Sequence, residues 1–265
     1  MRQQYEPSAD RIIALYQQLE DDILSAVIRR ILKMGYVSEA SKHQLGVLQA
    51  AGLLYDDIVQ LIADRTDACT AQVKALFEDA GVQTVEMDNS LHEAAGALPI
   101  DIRQDSSTRQ VLEAGYKKTL GTMQNLVSTT ATQTQTAFIQ TCDRIYMQVS
   151  SGACSYQEAI MNALRALADT GATVSYPTGH TDRMDVAVRQ CVLTGVSQTA
   201  AAVSLQQAED AGCYLMEITA HSGARPDHAK LQGQLVTITG KDAGKIIDGL
   251  RVFTLSEIGY SSGEG

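Results

Sequence analysis

Residues 108–150 read TRQVLEAGYKKTLGTMQNLVSTTATQTQTAFIQTCDRIYMQVS, and how this stretch folds decides the architecture. Within it Leu120, Met123, Val127, Thr130, Thr134, Ala137 and Thr141 recur at spacings of three and four. That is the rhythm of a heptad seam, and it predicts one long helix from about Thr108 to Ser150. The chemistry of the seam is less usual. Its middle falls in the polar tract Ser128–Thr136, and threonine is a poor coiled-coil core residue and a middling helix former. Three readings stand: a long helix packed closely on a neighbour, a helix that orders only in an assembly, or a locally weak surface helix.

Towards the N-terminus the same period continues. Ser8 and Asp10 are candidate caps for a helix whose apolar face runs Ile12, Leu15, Tyr16, Leu19, Ile23, Val27 and Ile31, with Gly35 as its stop. A second amphipathic stretch covers Lys42 to Leu53 and ends near Gly52; a third runs from about Asp56 to Gly81. Regularity breaks between Asp88 and Asp105, where Gly96 and Pro99 punctuate the chain and Asp105-Ser106-Ser107 reads as a helix start.

On the other side, Ser155-Tyr156-Gln157-Glu158 is a capping box that opens a helix through Ile160, Leu164 and Leu167 to a stop at Gly171. Tyr176-Pro177-Thr178-Gly179 signals a turn, and a further helix spans about Arg183 to Ala211, ended by Gly212. The pattern then changes: Cys213–Thr219, Leu235–Ile238 and Arg251–Leu255 read as short strands, and the tail from Gly259 has no means of ordering itself. The expected fold is mostly α with a small α+β C-terminal module. Its expected parts are an N-terminal helical domain (1–100), a long central helix with the helix after it (101–175), and a C-terminal helix plus short strands (176–265).

Composition sets outer limits. The chain has 265 residues, 45% hydrophobic and 20% charged, which is ordinary globular usage. Aromatic residues make up only 5% and Trp is absent, so Ala, Leu, Ile and Val must form a core of closely packed helices. With 21 Lys+Arg against 31 Asp+Glu the formal charge is -10, which argues against a protein whose main task is gripping DNA phosphates. No run approaches 18 apolar residues, the N-terminal residues hold no apolar signal core, and five scattered cysteines never form CxxC. These traits predict a soluble intracellular protein with reduced thiols and no membrane span.

The densest polar group is His221, Arg225, Asp227, His228 and Lys230. These residue types could supply a base, an orienting carboxylate and an anion-binding Arg, or metal ligands. Their spacing brings none of this together, and no HExxH, nucleophile elbow or phosphate-binding loop occurs. No catalytic, cofactor-binding or metal-ligating residue is therefore assigned, and the loop reads as one that holds a turn or faces a partner. Arg183, Asp185 and Arg189 form a second cluster: Asp185 and Arg189 are four apart and can pair on one helical turn, or the group can serve as an interface.

Several unusual words occur in order. They are Asn125–Ala131, Ile145–Gly152, Tyr176–Arg189, Leu193–Thr199 and, above all, Glu217–Gly233, which matches a TAHxGARPxHxxxQGK signature through His221, Gly223, Ala224, Arg225, Pro226, His228, Gln232 and Gly233. Over roughly Arg103 to Gly265 the chain resembles the tailed-phage minor capsid protein family (minor capsid protein type 2), and more distantly the Mu-type head morphogenesis proteins. The resemblance implies a structural protein, not an enzyme, present in few copies inside the phage head near the portal vertex and made in the host bacterial cytoplasm. It implies the portal protein and/or the major capsid protein as partners, self-association in several copies, and proximity to DNA without strong binding. The signature residues are then structural or interaction residues. Two departures stand out: Gln234 follows the Gln-Gly pair where the family has Lys or Arg, and the family continues beyond the Gly-Tyr-x-x-Gly word into a Cys- and His-containing end. The second departure predicts a shortened version or a partial product. The alternatives are an enzyme or toxin-like module using His221, Arg225 and His228, and a DNA-contacting packaging or ejection protein.

Overall fold

The computed structural model describes residues 6–94, 98–102, 104–176, 178–218 and 226–259. They are mostly helical, with short strands gathered near the C-terminal end. The order is α1 (Glu6–Met34), α2 (Ala40–Ala94), α3 (Ser106–Ser150), α4 (Tyr156–Thr170), β1 (Thr173–Ser175), β2 (Thr181–Arg183), α5 (Met184–Asp210), β3 (Leu215–Glu217), α6 (Pro226–Ala229), β4 (Leu235–Thr237), β5 (Ile246–Ile247) and β6 (Leu250–Thr254).

The decisive stretch folds as one helix of 45 residues, α3. Asp105 starts it, accepting from the backbone N–H groups of Ser107 at 3.2 Å and Thr108 at 3.2 Å. The capping box at Ser155 forms as the sequence predicts, and Gly171 ends α4 at φ +68°. Three expectations need correction. α1 begins at Glu6, so Ser8 and Asp10 lie inside its first turns and not at its cap. The two amphipathic stretches divided at Gly52 are a single 55-residue helix, α2, which runs through Gly52 and Gly81. That helix also consumes the first part of the supposed break, up to Ala94.

The chain divides into two compact units, each drawing on separate segments of the sequence: residues 1–78 with 114–197, and residues 79–113 with 198–265. The first is a helical bundle with the β1–β2 hairpin. α1 contributes Ile12, Tyr16, Leu19 and Ile23 to its core, α2 contributes Leu54, Ile58 and Phe77, and α3 contributes Met123, Val127 and Phe138, all almost fully buried. Of the seam predicted on α3, Met123, Val127 and Thr130 are buried within the chain and Leu120, Thr134 and Thr141 are half-buried, but Ala137 is exposed and Phe138 takes the inner position in its place. α3 and α5 come especially close: a Cβ on Gly195 would lie 2.1 Å from Thr119 Oγ1, so only glycine fits there. Polar ties join the helices. Arg65 donates to Asp22 at 2.7 Å, Gln135 donates to the Ala51 carbonyl at 3.2 Å, and the His43 and Tyr146 rings stack at 4.4 Å.

The second unit holds the end of α2, the start of α3, the end of α5 and the strands. Gly81 lets α2 approach Leu112, whose Cδ1 would stand 2.5 Å from an added Cβ. Ser204 donates to Asp88 at 2.7 Å, and the Asn89 side chain both donates to and accepts from the backbone of Ile100, pinning the loop after α2. The four-stranded sheet has the order β3-β4-β6-β5. β3 pairs antiparallel with β4 (Leu215↔Thr237), β4 pairs parallel with β6 (Leu235↔Val252), and β5 pairs antiparallel with β6 (Ile247↔Leu250). Asp248 and Gly249 both have positive φ, 49° and 81°, the two-residue turn that closes a tight hairpin.

All five cysteines are free thiols. Burial pushes Cys69 and Cys191 up to about 11 and Cys142 up to about 12. Contrary to the expectation of no membrane-spanning run, α2 contains an 18-residue window of mean hydropathy 1.3, 22% of it buried, which is long and apolar enough to cross a membrane by length and composition alone.

Candidate interaction site

β1 and β2 form an antiparallel hairpin, and the segment Tyr176–Arg189 supplies its second strand and leads straight into α5. Thr173 pairs with Arg183 and Ser175 with Thr181. Gly179 closes the turn at φ +82°, and the Tyr176 N–H donates to the His180 carbonyl at 2.9 Å. His180 in turn meets Asp182 at 2.9 Å. The register brings Arg183 over α1, where its guanidinium lies 3.2 Å from Glu20 Oε1 and 3.6 Å from Asp185 Oδ1. Gln17 donates to the other Asp185 oxygen at 3.2 Å, and Arg189 lies 3.6 Å from Asp10.

Glu20 is the anchor of this cluster. Its side chain is 3% exposed, whereas that of Arg183 is 62% exposed. Glu20 Oε1 also accepts from the Ala172 N–H at 3.3 Å, and Oε2 is buried without a hydrogen-bond partner. Burial raises the Glu20 carboxyl above its ordinary value, against the opposing pull of Arg183 and the Ala172 N–H. Gly171 is required here twice over: its φ of +68° suits glycine, and a Cβ would sit 2.5 Å from Glu20 Oε1. The arrangement is a clasp that joins the hairpin to α1 and leaves the Arg183 guanidinium, half neutralised from below, at the surface. It offers planar donors to a partner and places no nucleophile beside a base.

The structure therefore brings Arg183 together with Asp185, and supplies Arg189 with Asp10. Sequence reasoning missed Glu20, Gln17 and Asp10. Glu20 had a signal: Ile13, Tyr16, Glu20, Ile23 and Val27 share one spacing of three and four, so a carboxylate stands inside an apolar stripe.

Of the signature loop, His221, Gly223, Ala224 and Arg225 lie outside the described residues, as does the side chain of His228. Pro226 opens α6. Gly233, at φ +71°, donates to the Ile218 carbonyl at 2.7 Å, and the Gln234 carbonyl accepts from Ile218 at 2.8 Å. Gln232 and Gly233 thus sit on the turn that hands the chain from α6 into β4. Gln234, the departure from the family pattern, accepts from the Arg251 N–H through Oε1 at 3.0 Å and ties β4 to β6. Among the described residues, no three His, Cys, Asp or Glu gather as metal ligands. A cavity of about 190 Å³ opens in the first unit between α1, α3 and α4, floored by Ile23, Val27 and Phe138 and rimmed by Thr134, Thr141 and Arg144.

No curated protein and no solved structure matches this chain. A family model does, that of the phage minor capsid protein 2, over residues 2–265. Its span takes in the clasp, the hairpin and the signature loop together, and the chain belongs to the phage minor capsid protein 2 family.

Proposed function

We propose that this chain is a low-copy subunit at the portal vertex of a tailed-phage head, where it contacts the portal protein and/or the major capsid protein and contributes to head assembly or to genome packaging and ejection. The observation that carries this reading is the family match over nearly the whole chain, which makes the protein a structural component of a phage capsid. The site chemistry supports a part played by packing and contact, not turnover. The best-defined polar cluster is a clasp, its buried carboxylate is held by an Arg and a backbone N–H, and its exposed member is a guanidinium, a group favoured at protein interfaces. The signature residues His221, Gly223, Ala224, Arg225, Pro226, His228, Gln232 and Gly233 are assigned to the same structural or contact role, as are Arg183, Asp185 and Arg189.

Electron cryo-microscopy of the intact particle, reconstructed at the portal vertex without imposed icosahedral symmetry, tests the placement. Density that fits α2 and α3 beside the portal is the expected result. Density distributed over the capsid faces, or absent from the vertex in particles that contain the chain by mass spectrometry, would overturn it.

A further inference from the structure

The cavity between α1, α3 and α4 lies wholly within the first unit and has a volume of about 190 Å³. On its floor Ile23, Val27 and Phe138 are each no more than 2% exposed. Its walls are short side chains: Thr134, Ala137 and Thr141 from α3, Ala163 and Ala166 from α4. The three α3 residues belong to the heptad seam. Met123, Val127 and Thr130 close that seam by burial, whereas from Thr134 onward it fronts open space. Longer side chains at these wall positions would fill the gap; Ala and Thr on both walls keep it open.

Charge and size define what fits. No Asp or Glu lines the cavity, and its one ionised side chain is Arg144. Side chains on a helix lean toward its N-terminus, so Arg144 reaches back over the turn of Gln140 and Thr141, at the mouth. Among the described residues Arg144 makes no ion pair, and the neighbouring carboxylate of Asp143 is turned to His43, 3.8 Å away. A cavity of about 150 Å³ lined by Leu, Ile and Phe binds benzene. The larger volume here has room for one phenyl ring or branched alkyl group with a short tether. An ammonium on that tether would meet the like charge of Arg144 with no carboxylate to offset it. A carboxylate would meet planar guanidinium donors.

We propose that this cavity binds a compact apolar group bearing a carboxylate, with the apolar body on Ile23, Val27 and Phe138 and the carboxylate at Arg144. That chemistry belongs equally to a free aryl or alkyl acid and to the C-terminal residue of another chain. The inference does not depend on where in the head the protein sits.

The test uses the full chain, isotope-labelled at Ile and Val methyl groups and titrated by NMR with phenylpropionate, phenylpropanamide and phenylpropylamine. The acid should shift the Ile23 and Val27 methyl signals and bind at least about threefold more tightly than the amide, with the amine weakest. Added salt should narrow the gap between acid and amide. Arg144→Glu, at an exposed position, should reverse the order of acid and amine. Ala137→Leu with Ala166→Leu, both at exposed positions, should plug the mouth and abolish binding while the circular dichroism spectrum is retained. N-acetyl-glycyl-phenylalanine that binds as tightly as phenylpropionate, and weakens when its C-terminus is amidated, supports a chain end as the source. Binding of phenylpropionate without the peptide supports a free acid. Equal binding of acid and amine, binding that survives the Ala137 and Ala166 changes, or no binding of any probe at millimolar concentration overturns the proposal.

Discussion

Glu20 shows how one residue ties local geometry to pH behaviour. Its carboxyl is raised from 4.5 because burial penalises the charge more than Arg183 and the Ala172 N–H reward it. The folded chain therefore holds this proton to higher pH than the unfolded chain does. The stability so contributed is present below pH 4.5 and is lost as the pH rises through the raised native value. Glu20→Gln keeps the shape and both donors while removing the charge, so its stability at neutral pH should equal or exceed that of the parent. Urea unfolding at a series of pH values should show a shallower loss of stability above pH 4.5 in the variant; parallel curves would mean Glu20 does not titrate there. Gly171→Ala is the opposite case. A strained φ and a 2.5 Å contact with Glu20 Oε1 coincide, and thermal melts should show a loss of about 1–3 kcal/mol.

At the scale of the element, α3 explains how a tract of threonines stays helical. Ser128, Thr129 and Thr136 turn their hydroxyls back to the carbonyls of Asn125, Leu126 and Thr132, so their polar atoms are satisfied within the helix. Thr130 differs: it is fully buried and its Oγ1 has no hydrogen-bond partner. Thr130→Val has nearly the same shape without the stranded hydroxyl, and calorimetry should record a gain of about 1 kcal/mol. A loss would mean that the hydroxyl is paired after all. The length of α3 was readable from residue spacing alone, as were the Ser155 box and the stops at Gly35, Gly171 and Gly212, all three at positive φ. The unity of α2 was not. Gly52 and Gly81 look like stops in sequence, yet neither has a positive φ and Gly81 serves to admit Leu112. A linear pattern cannot separate a glycine that turns the chain from one that makes room. Short strands were located within a residue or two where Val and Ile cluster, but β1 and β2 carry too few apolar residues to stand out, and β5 is an Ile pair only two residues long. Asp248-Gly249 was the available signal for the last of these. The clasp was half legible: Arg183 and Asp185 declared themselves by charge, while Glu20 lies more than 160 residues away in sequence and meets them only through the hairpin register.

For the whole molecule, the balance of charge governs its dealings with nucleic acid. A formal charge of -10 offers few cations for displacing counterions from phosphate. The purified protein should leave duplex DNA unshifted in electrophoresis at about 150 mM salt, the physiological range. A retarded band that disappears as salt is raised would instead favour a DNA-contacting packaging or ejection protein. Three long helices, α2, α3 and α5, supply residues to both compact units, so truncation at any midpoint of these helices removes core from two places at once. The internal sulfur bears on endurance. Cys69, Cys142 and Cys191 ionise only near 11 to 12, and the thiolate is the form that peroxide and disulfides attack. A particle outside a cell meets dissolved oxygen with no enzyme to undo the damage. At neutral pH these three sites hold almost no thiolate, so oxidation in storage is expected to reach the exposed thiol of Cys213 before them, and mass spectrometry of aged protein would show it there first.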